Sequence, residues 1–201
     1  MWKNKIEEIL DFWFGQLPDD SSMPEEKSKL WFQKDPVFDL KIQRRFEDVL
    51  HASERGELGD WLSTPRGILA YVVLLDQFPR NMYRDLPEEY AYDQLCLPVV
   101  RESLKNGVDR NLKPVERMFL YMPLMHSEDP EDQEMSIRYF TRLRDATDQP
   151  IREFFETVLD FAHRHKAIID QFGRYPYRND QLNRETTEKE EEFLKTPGSR
   201  F

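Results

Sequence analysis

Prolines divide this sequence into segments of helical periodicity, and that arrangement constrains the fold more than any other feature. Several of the 13 prolines stand just after a helix-capping residue, as in Asp35-Pro36 and Thr64-Pro65. A proline fits this first helical position because its missing amide hydrogen would have no partner there. Between the prolines, apolar residues recur at helical spacing and show no sustained strand alternation. The pattern predicts an all-α protein.

The predicted helices are of modest length and are joined by short loops. They begin near residues 3, 24, 36, 65, 87, 114, 130, 150 and 187. A set of roughly ten helices favours an α-α superhelical or right-angled array over a four-helix bundle. Nothing marks a domain boundary, so we expect a single domain over residues 1–201.

The segment from Pro65 to Gln77 is apolar on nearly all sides, which places it at the centre of the core. Proline also predicts interruptions. We expect Pro79 to stop this central helix, Pro98 to kink or break the helix that begins near Pro87, and Pro123 to disturb the end of its own helix.

Charge and composition exclude several classes of protein. The net charge of −10 repels a phosphate backbone, so no nucleic-acid partner is expected. No apolar run approaches the roughly 20 residues that span a bilayer, and acids stand where a signal peptide has its apolar stretch. The one cysteine, Cys96, lies between leucines and is interpreted as a buried, inert thiol. These features predict a cytoplasmic protein without a membrane partner.

Two segments repeat the same polar motif. Residues 76–81 and 170–179 both begin with Asp-Gln-Phe and continue with arginine, proline and asparagine. The arginines and asparagines could serve unsatisfied helix carbonyls, which is the simpler interpretation. Alternatively, the two segments face each other and present Arg80, Arg174 and Arg178 to an anion, since guanidinium groups suit carboxylates and phosphates.

Further polar residues lie around the segment 116–128. Glu116 and Arg117 fall within an apolar run, so a partly buried charge pair with partners is expected. His126 and Glu128 follow at its end, where Ser127 most simply forms a turn. His165 lies on the apolar side of the last long helix. It is either a buried, hydrogen-bonded histidine or a base that acts near neutral pH.

No cofactor or metal motif is present in the sequence. It lacks a glycine-rich phosphate loop, a nucleophile elbow and zinc-ligand spacing. His163 and His165 point to different faces of a helix and cannot chelate one metal. We therefore predict neither metal nor cofactor and assign no catalytic residue.

With these motifs the chain resembles the bacterial family known as domain of unknown function 924. The matching segments are Phe12-Trp13-Phe14-Gly15, Trp31-Phe32, Leu75 to Asn81, Asp93, Glu116-Arg117, Leu120 to Pro123, His126-Ser127-Glu128, Gln133, His165, Phe172-Gly173-Arg174, Pro176, Arg178-Asn179 and Arg184. The resemblance implies a tetratricopeptide-like superhelix and no known activity. Tyr177 stands where the family usually has histidine, and Asn183 where it usually has glycine, a mild change if that residue is left-handed.

Three functions are consistent with these residues. The first is a ligand-binding protein or enzyme whose polar pocket, at helix ends, takes a small anionic molecule. The second is a tetratricopeptide-like module that binds a protein partner, and the third is a purely structural network of ion pairs. The candidate site residues, which we expect to converge in space, are Asp76, Arg80, Asn81, Glu116, Arg117, His126, Glu128, His165, Arg174, Arg178 and Asn179.

Overall fold

The computed structural model describes residues 2–200, apart from the side chain of Glu25. Met1 and Phe201, the ends of the predicted domain, lie outside the described residues. Over the described range the chain is helical without β-strands, as predicted. The helices are α1 (Asn4–Phe14), α2 (Glu25–Trp31), α3 (Pro36–Glu54), α4 (Pro65–Val72), α5 (Phe78–Met82), α6 (Asp93–Lys105), α7 (Pro114–His126), α8 (Pro130–Asp145), α9 (Ile151–Phe172) and α10 (Glu188–Leu194).

The helix starts follow the capping residues of the sequence. The Asp35 carboxylate accepts hydrogen bonds from the first free amides of α3, and the Thr64 hydroxyl accepts one from the Gly67 amide of α4. Thr187 and Glu190 form the predicted capping box of α10. Local side chains therefore satisfy the exposed amides that each helix start leaves open.

The central helix does not stop at Pro79, contrary to the prediction. A π turn (Val73–Gln77) joins α4 to α5, and the helix continues to Met82. In this turn the Phe78 amide donates to the Val73 carbonyl, five residues back. We attribute the continuation to this wider turn, which relieves the clash that a proline ring makes with the carbonyl of the preceding turn.

Two other prolines also lie inside helices. Pro98 lies within α6 and Pro123 within α7, and both helices continue past them. Each proline removes one backbone hydrogen bond, a loss that packing of the helix can offset. The segment Pro87–Tyr90 is a separate 3-10 turn, so α6 begins at Asp93 and not near Pro87.

The core surrounds the central helix, as its apolar sequence predicts. Every residue from Gly67 to Pro79 is buried. Helices α1, α6 and α7 pack against α4, and α3 packs against α5. Helices α8 and α9 lie along each other, with α7 beside α8. The π turn therefore lies deep in the protein, next to α6 and α7.

We expect the substitution Leu74→Ala to destabilise the fold by about 2–5 kcal/mol, because Leu74 is fully buried in the π turn and its removal leaves a cavity. The measurement is the free energy of unfolding from denaturant melts. Leu62→Ala is the matched control, since Leu62 is 38% exposed, and it should change stability by only about 0.5 kcal/mol. Equal losses in the two variants would contradict the central position of this turn.

Candidate functional site

A cavity of about 530 Å³ lies between the π turn, α5, the second half of α7 and α9. Its wall has two kinds of surface. The apolar part includes Met118, Met122, Met125, Phe154, Val158 and Phe161. The polar part includes Gln77, Arg80, Asn81, Arg84, Glu89, Tyr90, His126, His165, Tyr177 and Arg178. Such a size and mixture are typical of small-molecule sites.

Asp76 lies in the π turn, directly behind this wall, and is only 1% exposed. Its Oδ2 accepts a hydrogen bond from Gln77 Nε2 at 2.6 Å. Its Oδ1 lies 2.7 Å from His126 Nδ1 and 3.3 Å from Arg80 Nη1. Burial alone would raise the pKa of Asp76, but the charges of His126 and Arg80 and these hydrogen bonds outweigh burial and lower it. The carboxylate is therefore ionised.

This carboxylate fixes the tautomer of His126 at the end of α7. An ionised carboxylate only accepts hydrogen bonds, so the hydrogen between the two groups belongs to His126 Nδ1. The other ring nitrogen, Nε2, forms no hydrogen bond with residues 2–200, and the ring lines the cavity. Burial lowers the pKa of His126 more than Asp76 raises it, which favours the neutral imidazole.

Arg80 also lines the cavity, but its charge is compensated. Its two Nη atoms each donate to an oxygen of Asp93 at 2.9 Å, and Nη1 donates to the Asp76 carbonyl at 2.8 Å. This pairing connects α5 with the first turn of α6. Arg80 is therefore a structural partner of two carboxylates more than a free cation.

His165 of α9 lies close to His126, with ring centroids 6.3 Å apart. It is buried, and its Nδ1 lies 2.8 Å from the Phe161 carbonyl oxygen. A carbonyl only accepts, so Nδ1 carries the hydrogen. Burial, reinforced by the positive charge of His126 when protonated, lowers the pKa of His165 to about 3. The predicted buried, hydrogen-bonded histidine is confirmed.

Arg178 follows α9 in the 3-10 turn Pro176–Arg178 and is only 4% exposed. Its guanidinium carbon lies 4.4 Å from the ring centre of Tyr175, 4.6 Å from that of Tyr90 and 5.6 Å from that of Tyr177. Its Nε has no hydrogen-bond partner, and over residues 2–200 no carboxylate forms an ion pair with it. Arg178 is thus a buried cation that contacts aromatic faces and, among residues 2–200, has no carboxylate in ion-pair contact.

Glu116 and Arg117 do not join this cavity. The Glu116 carboxylate accepts from the Lys113 amide at 2.8 Å, and Arg66 lies 3.5 Å away. Arg117 Nε donates to the Leu112 carbonyl at 2.8 Å. Both residues serve the start of α7, and about ten residues of helix put them roughly 15 Å from His126. Their expected convergence with the other candidates is corrected accordingly.

Glu128 and Arg174 are also held elsewhere by their own partners. Glu128 pairs with both Nη atoms of Arg184, at 2.7 and 3.1 Å, and accepts from the Tyr175 amide. Arg174 donates to both oxygens of Glu190, at 2.7 and 2.8 Å, and so holds α10. The expected group of three arginines facing one anion is therefore not formed. Of these three, Arg178 is the one without a carboxylate of residues 2–200 in ion-pair contact.

The two asparagines differ in position. Asn81 lines the cavity and donates to Asp39 at 2.8 Å. Asn179 is buried behind Arg178, where its Nδ2 donates to Thr186 Oγ1 at 3.3 Å. The cavity thus unites Arg80, Asn81, His126, His165 and Arg178 with Asp76 behind its wall.

Sequence reasoning missed the aromatic and sulfur-containing part of the wall. Met118, Met122 and Met125 recur at helical spacing on α7, and this stripe was the available signal. Tyr90 comes from a distant turn, so no local pattern places it on Arg178. Tyr177, noted as a departure from the family, lies on the cavity wall, and Asn183 is left-handed with φ 53°.

Two further features limit the kinds of site that this part of the chain can form. Over residues 2–200, no helix is both long and apolar enough to span a membrane. No group of three or more histidine, cysteine or acidic side chains in this range could hold a metal ion. Cys96 is buried, and burial raises the pKa of its thiol well above the ordinary value.

Fold and cavity together define an all-α protein with a buried aspartate–histidine pair beside an amphipathic cavity. Over residues 9–198 the chain matches the family described as bacterial protein of unknown function (DUF924), and it belongs to that family. It is similar to the solved structure of a protein of unknown function, ATU0120 from Agrobacterium tumefaciens. The match has 32% identity and a TM-score of 0.82, and covers 97% of this chain and 99% of that chain. No curated protein matches the chain.

The neutral state of buried His165 predicts pH-dependent stability. Its pKa is about 3 in the folded protein, against about 6.5 in an unfolded chain. Between these values only the unfolded chain binds the proton, so stability is greatest above this window and decreases as the pH falls through it. From about pH 7 to about pH 5, wild type should lose up to about 1.4 kcal/mol per pH unit more than His165→Gln.

Chemical denaturation at several pH values measures this difference. His163→Gln, a change at an exposed histidine of the same helix, is the control. A His165→Gln variant with the wild-type slope would contradict a neutral His165.

Proposed function

We propose that this protein binds a small carboxylate-bearing molecule with an apolar portion in the cavity. The observation that carries the proposal is Arg178, a buried guanidinium on the cavity wall with an unpartnered Nε and no acid in ion-pair contact over residues 2–200. A buried charge without a partner costs several kcal/mol. A bound carboxylate would supply the missing partner in the geometry that guanidinium favours.

The charges of the wall favour a monoanion. Arg80 contacts the carboxylates of Asp76 and Asp93, and Arg84 contacts both oxygens of Asp39, at 2.7 and 3.1 Å. Of the buried and half-buried arginines on the described wall, Arg178 is the one without a carboxylate in ion-pair contact, so it offers a contact for one carboxylate group. A phosphate dianion would introduce a second charge, for which residues 2–200 offer no further buried cation on this wall.

Three more charged residues stand on the described wall: Asp85, Glu89 and Arg200. Asp85 is exposed and pairs with Lys34 at 3.4 Å. Burial raises the pKa of Glu89, and its carboxylate accepts from the Asp85 amide. Arg200 is exposed, so solvent screens its charge. Neither of the two acids forms an ion pair with Arg178.

The other half of the cavity favours an apolar group on the same ligand. Met118, Met122 and Met125 face it from α7, and Phe154 and Phe161 from α9. Methionine side chains adapt to ligands of different shape, and aromatic rings bury large apolar areas. An alkyl or aryl carboxylate would satisfy both surfaces at once.

The predicted alternative is a tetratricopeptide-like module that binds a protein. In its support, α6 to α9 pack consecutively, each against the next, as helices of superhelical arrays do. The concave site between these helices has the volume of a small-molecule pocket, so we rank the small ligand first. The tetratricopeptide-like superhelix, the single domain over residues 1–201 and a cytoplasmic location remain parts of this proposal.

Ligand screening by thermal shift tests the proposal. Alkyl and aryl carboxylates of increasing length should raise the melting temperature of wild type, while the uncharged amides of the same acids should not. Arg178→Met should weaken binding of any carboxylate found by about 10- to 100-fold, because it removes a charge-assisted hydrogen bond. Isothermal titration calorimetry measures this loss.

Stability separates a ligand contact from a structural role. Since no carboxylate of residues 2–200 forms an ion pair with Arg178, Arg178→Met leaves no acid unpaired and should lower the free energy of unfolding by no more than about 1 kcal/mol. Arg138→Met is the matched control, because Arg138 also lies on a tyrosine ring but is exposed. Equal binding by acids and amides, or unchanged binding by Arg178→Met, would refute the role of this charge.

A further inference from the structure

We propose that the cavity is also catalytic, with His126 as the general base that activates water to hydrolyse an ester of the bound carboxylate. This inference rests on the proposed function, since Arg178 would hold the carboxylate end of the substrate. The geometry that points to it is the Asp76–His126 pair. Asp76 Oδ1 lies 2.7 Å from His126 Nδ1, and the ring lines the same cavity as Arg178.

The pair has the arrangement that a general base requires. Asp76 holds the hydrogen on Nδ1, so Nε2 carries the lone pair. Nε2 has no hydrogen-bond partner over residues 2–200. His126 Nδ1 contacts the buried Asp76 carboxylate, whereas His165 Nδ1 contacts the Phe161 backbone carbonyl. His126 is therefore the ring oriented to accept a proton.

The local backbone supports a functional reading of this pair. Asp76 lies in a π turn, a conformation that is rare in proteins and frequent at functional sites. Gln77 Nε2 binds the second carboxylate oxygen at 2.6 Å, and Arg80 lies beside the first. These contacts fix the orientation of the carboxylate, which in turn fixes the imidazole.

The nucleophile is water, because the described part of the wall offers no available serine, threonine or cysteine. Thr157 is the one such residue there, and its hydroxyl donates to the Glu153 carbonyl at 3.2 Å. An acyl-enzyme of the serine or cysteine hydrolase type therefore has no nucleophile in this part of the wall. We expect the reaction to proceed from substrate to product without such an intermediate.

The chemical step balances with water as the only co-reactant. The water oxygen bonds to the ester carbonyl carbon while one water proton passes to His126 Nε2. The bond between the carbonyl carbon and the ester oxygen then breaks. The imidazolium returns its proton to the leaving alkoxide, and the products are a carboxylic acid and an alcohol.

An ester is a more suitable substrate for this site than an amide, because it is more reactive. The side-chain amides of Gln77 and Asn81 are already bonded to Asp76 and Asp39. Few donors therefore remain to stabilise an oxyanion, so the substrate must contain a reactive acyl group with a good leaving group.

The test uses 4-nitrophenyl monoesters of dicarboxylic acids of increasing chain length, with the full-length protein. Each probe carries a carboxylate for Arg178 and an ester at a different distance from it. At least one should be hydrolysed faster than in buffer, with no burst of 4-nitrophenolate. His126→Gln should lower this rate by about 10²-fold or more, whereas His163→Gln, on an exposed part of α9, should not change it.

The pH profile separates a base from a structural histidine. The groups that face His126 are Asp76 of the π turn, Arg80 of α5, Asp93 of α6 and His165 of α9. Because the pKa of His126 is lowered, the rate should rise with pH to a plateau and fall only below an apparent pKa under 6.5. In Asp76→Asn, kcat should fall while KM changes little, since Asp76 positions His126 and does not touch the substrate.

The proposals of binding and of hydrolysis can be refuted by different results. Folding of each variant is checked by circular dichroism, and long-range ¹H–¹⁵N correlation spectra of wild type report the tautomer of His126. Probes that compete with a bound carboxylate but are hydrolysed no faster than in buffer would overturn the catalytic inference alone. The same holds if the spectra show hydrogen on Nε2. If the wild-type protein binds no carboxylate, the proposed function is overturned as well.

Discussion

The ionised carboxylate of Asp76 is the group on which the arrangement of this protein depends. At 1% exposure it must be fully compensated, and its partners come from three elements: Gln77 from the π turn itself, Arg80 from α5 and His126 from α7. Arg80 extends the connection to Asp93 at the start of α6. One buried charge thus determines how four helical segments meet. Their meeting point is one end of the cavity, so the same contacts that satisfy Asp76 also orient His126 toward it.

The two Asp-Gln-Phe motifs show how far context changes the role of the same residues. In the first, the helix continues through Pro79, and Asp76 stays in the core. In the second, Gly173 ends α9 with φ 68°, so the chain leaves the helix at that point. The side chain of Asp170 is 55% exposed and pairs with Lys166 one turn earlier on the same helix. Only the first motif places its aspartate at the site.

The sequence could predict the parts of the fold that neighbouring residues determine. Caps such as Asp35 and Thr64, and Gly173 at the end of α9, act within one helical turn, so the sequence predicts their positions. The continuation of the helix past Pro79 could not be predicted in this way, because the π turn depends on burial among surrounding helices. The site could be predicted only in part for the same reason. Glu116 and His126 lie on one helix but at opposite ends, and the contact of Tyr90 with Arg178 joins turns that are far apart in sequence.

Comparison of the arginines distinguishes structural contacts from a ligand site. Arg80, Arg84, Arg174 and Arg184 each contact a carboxylate through two nitrogens. In each of these pairs the guanidinium and the carboxylate satisfy each other, and the pairs include three of the candidate site residues, Arg80, Glu128 and Arg174. Arg178 is as buried as any of them, yet within residues 2–200 its guanidinium contacts aromatic faces and forms no ion pair with a carboxylate. An apolar side chain at this position would avoid the cost of burying an unpaired cation, so stability alone does not explain an arginine there. A negative partner that enters the cavity does explain it.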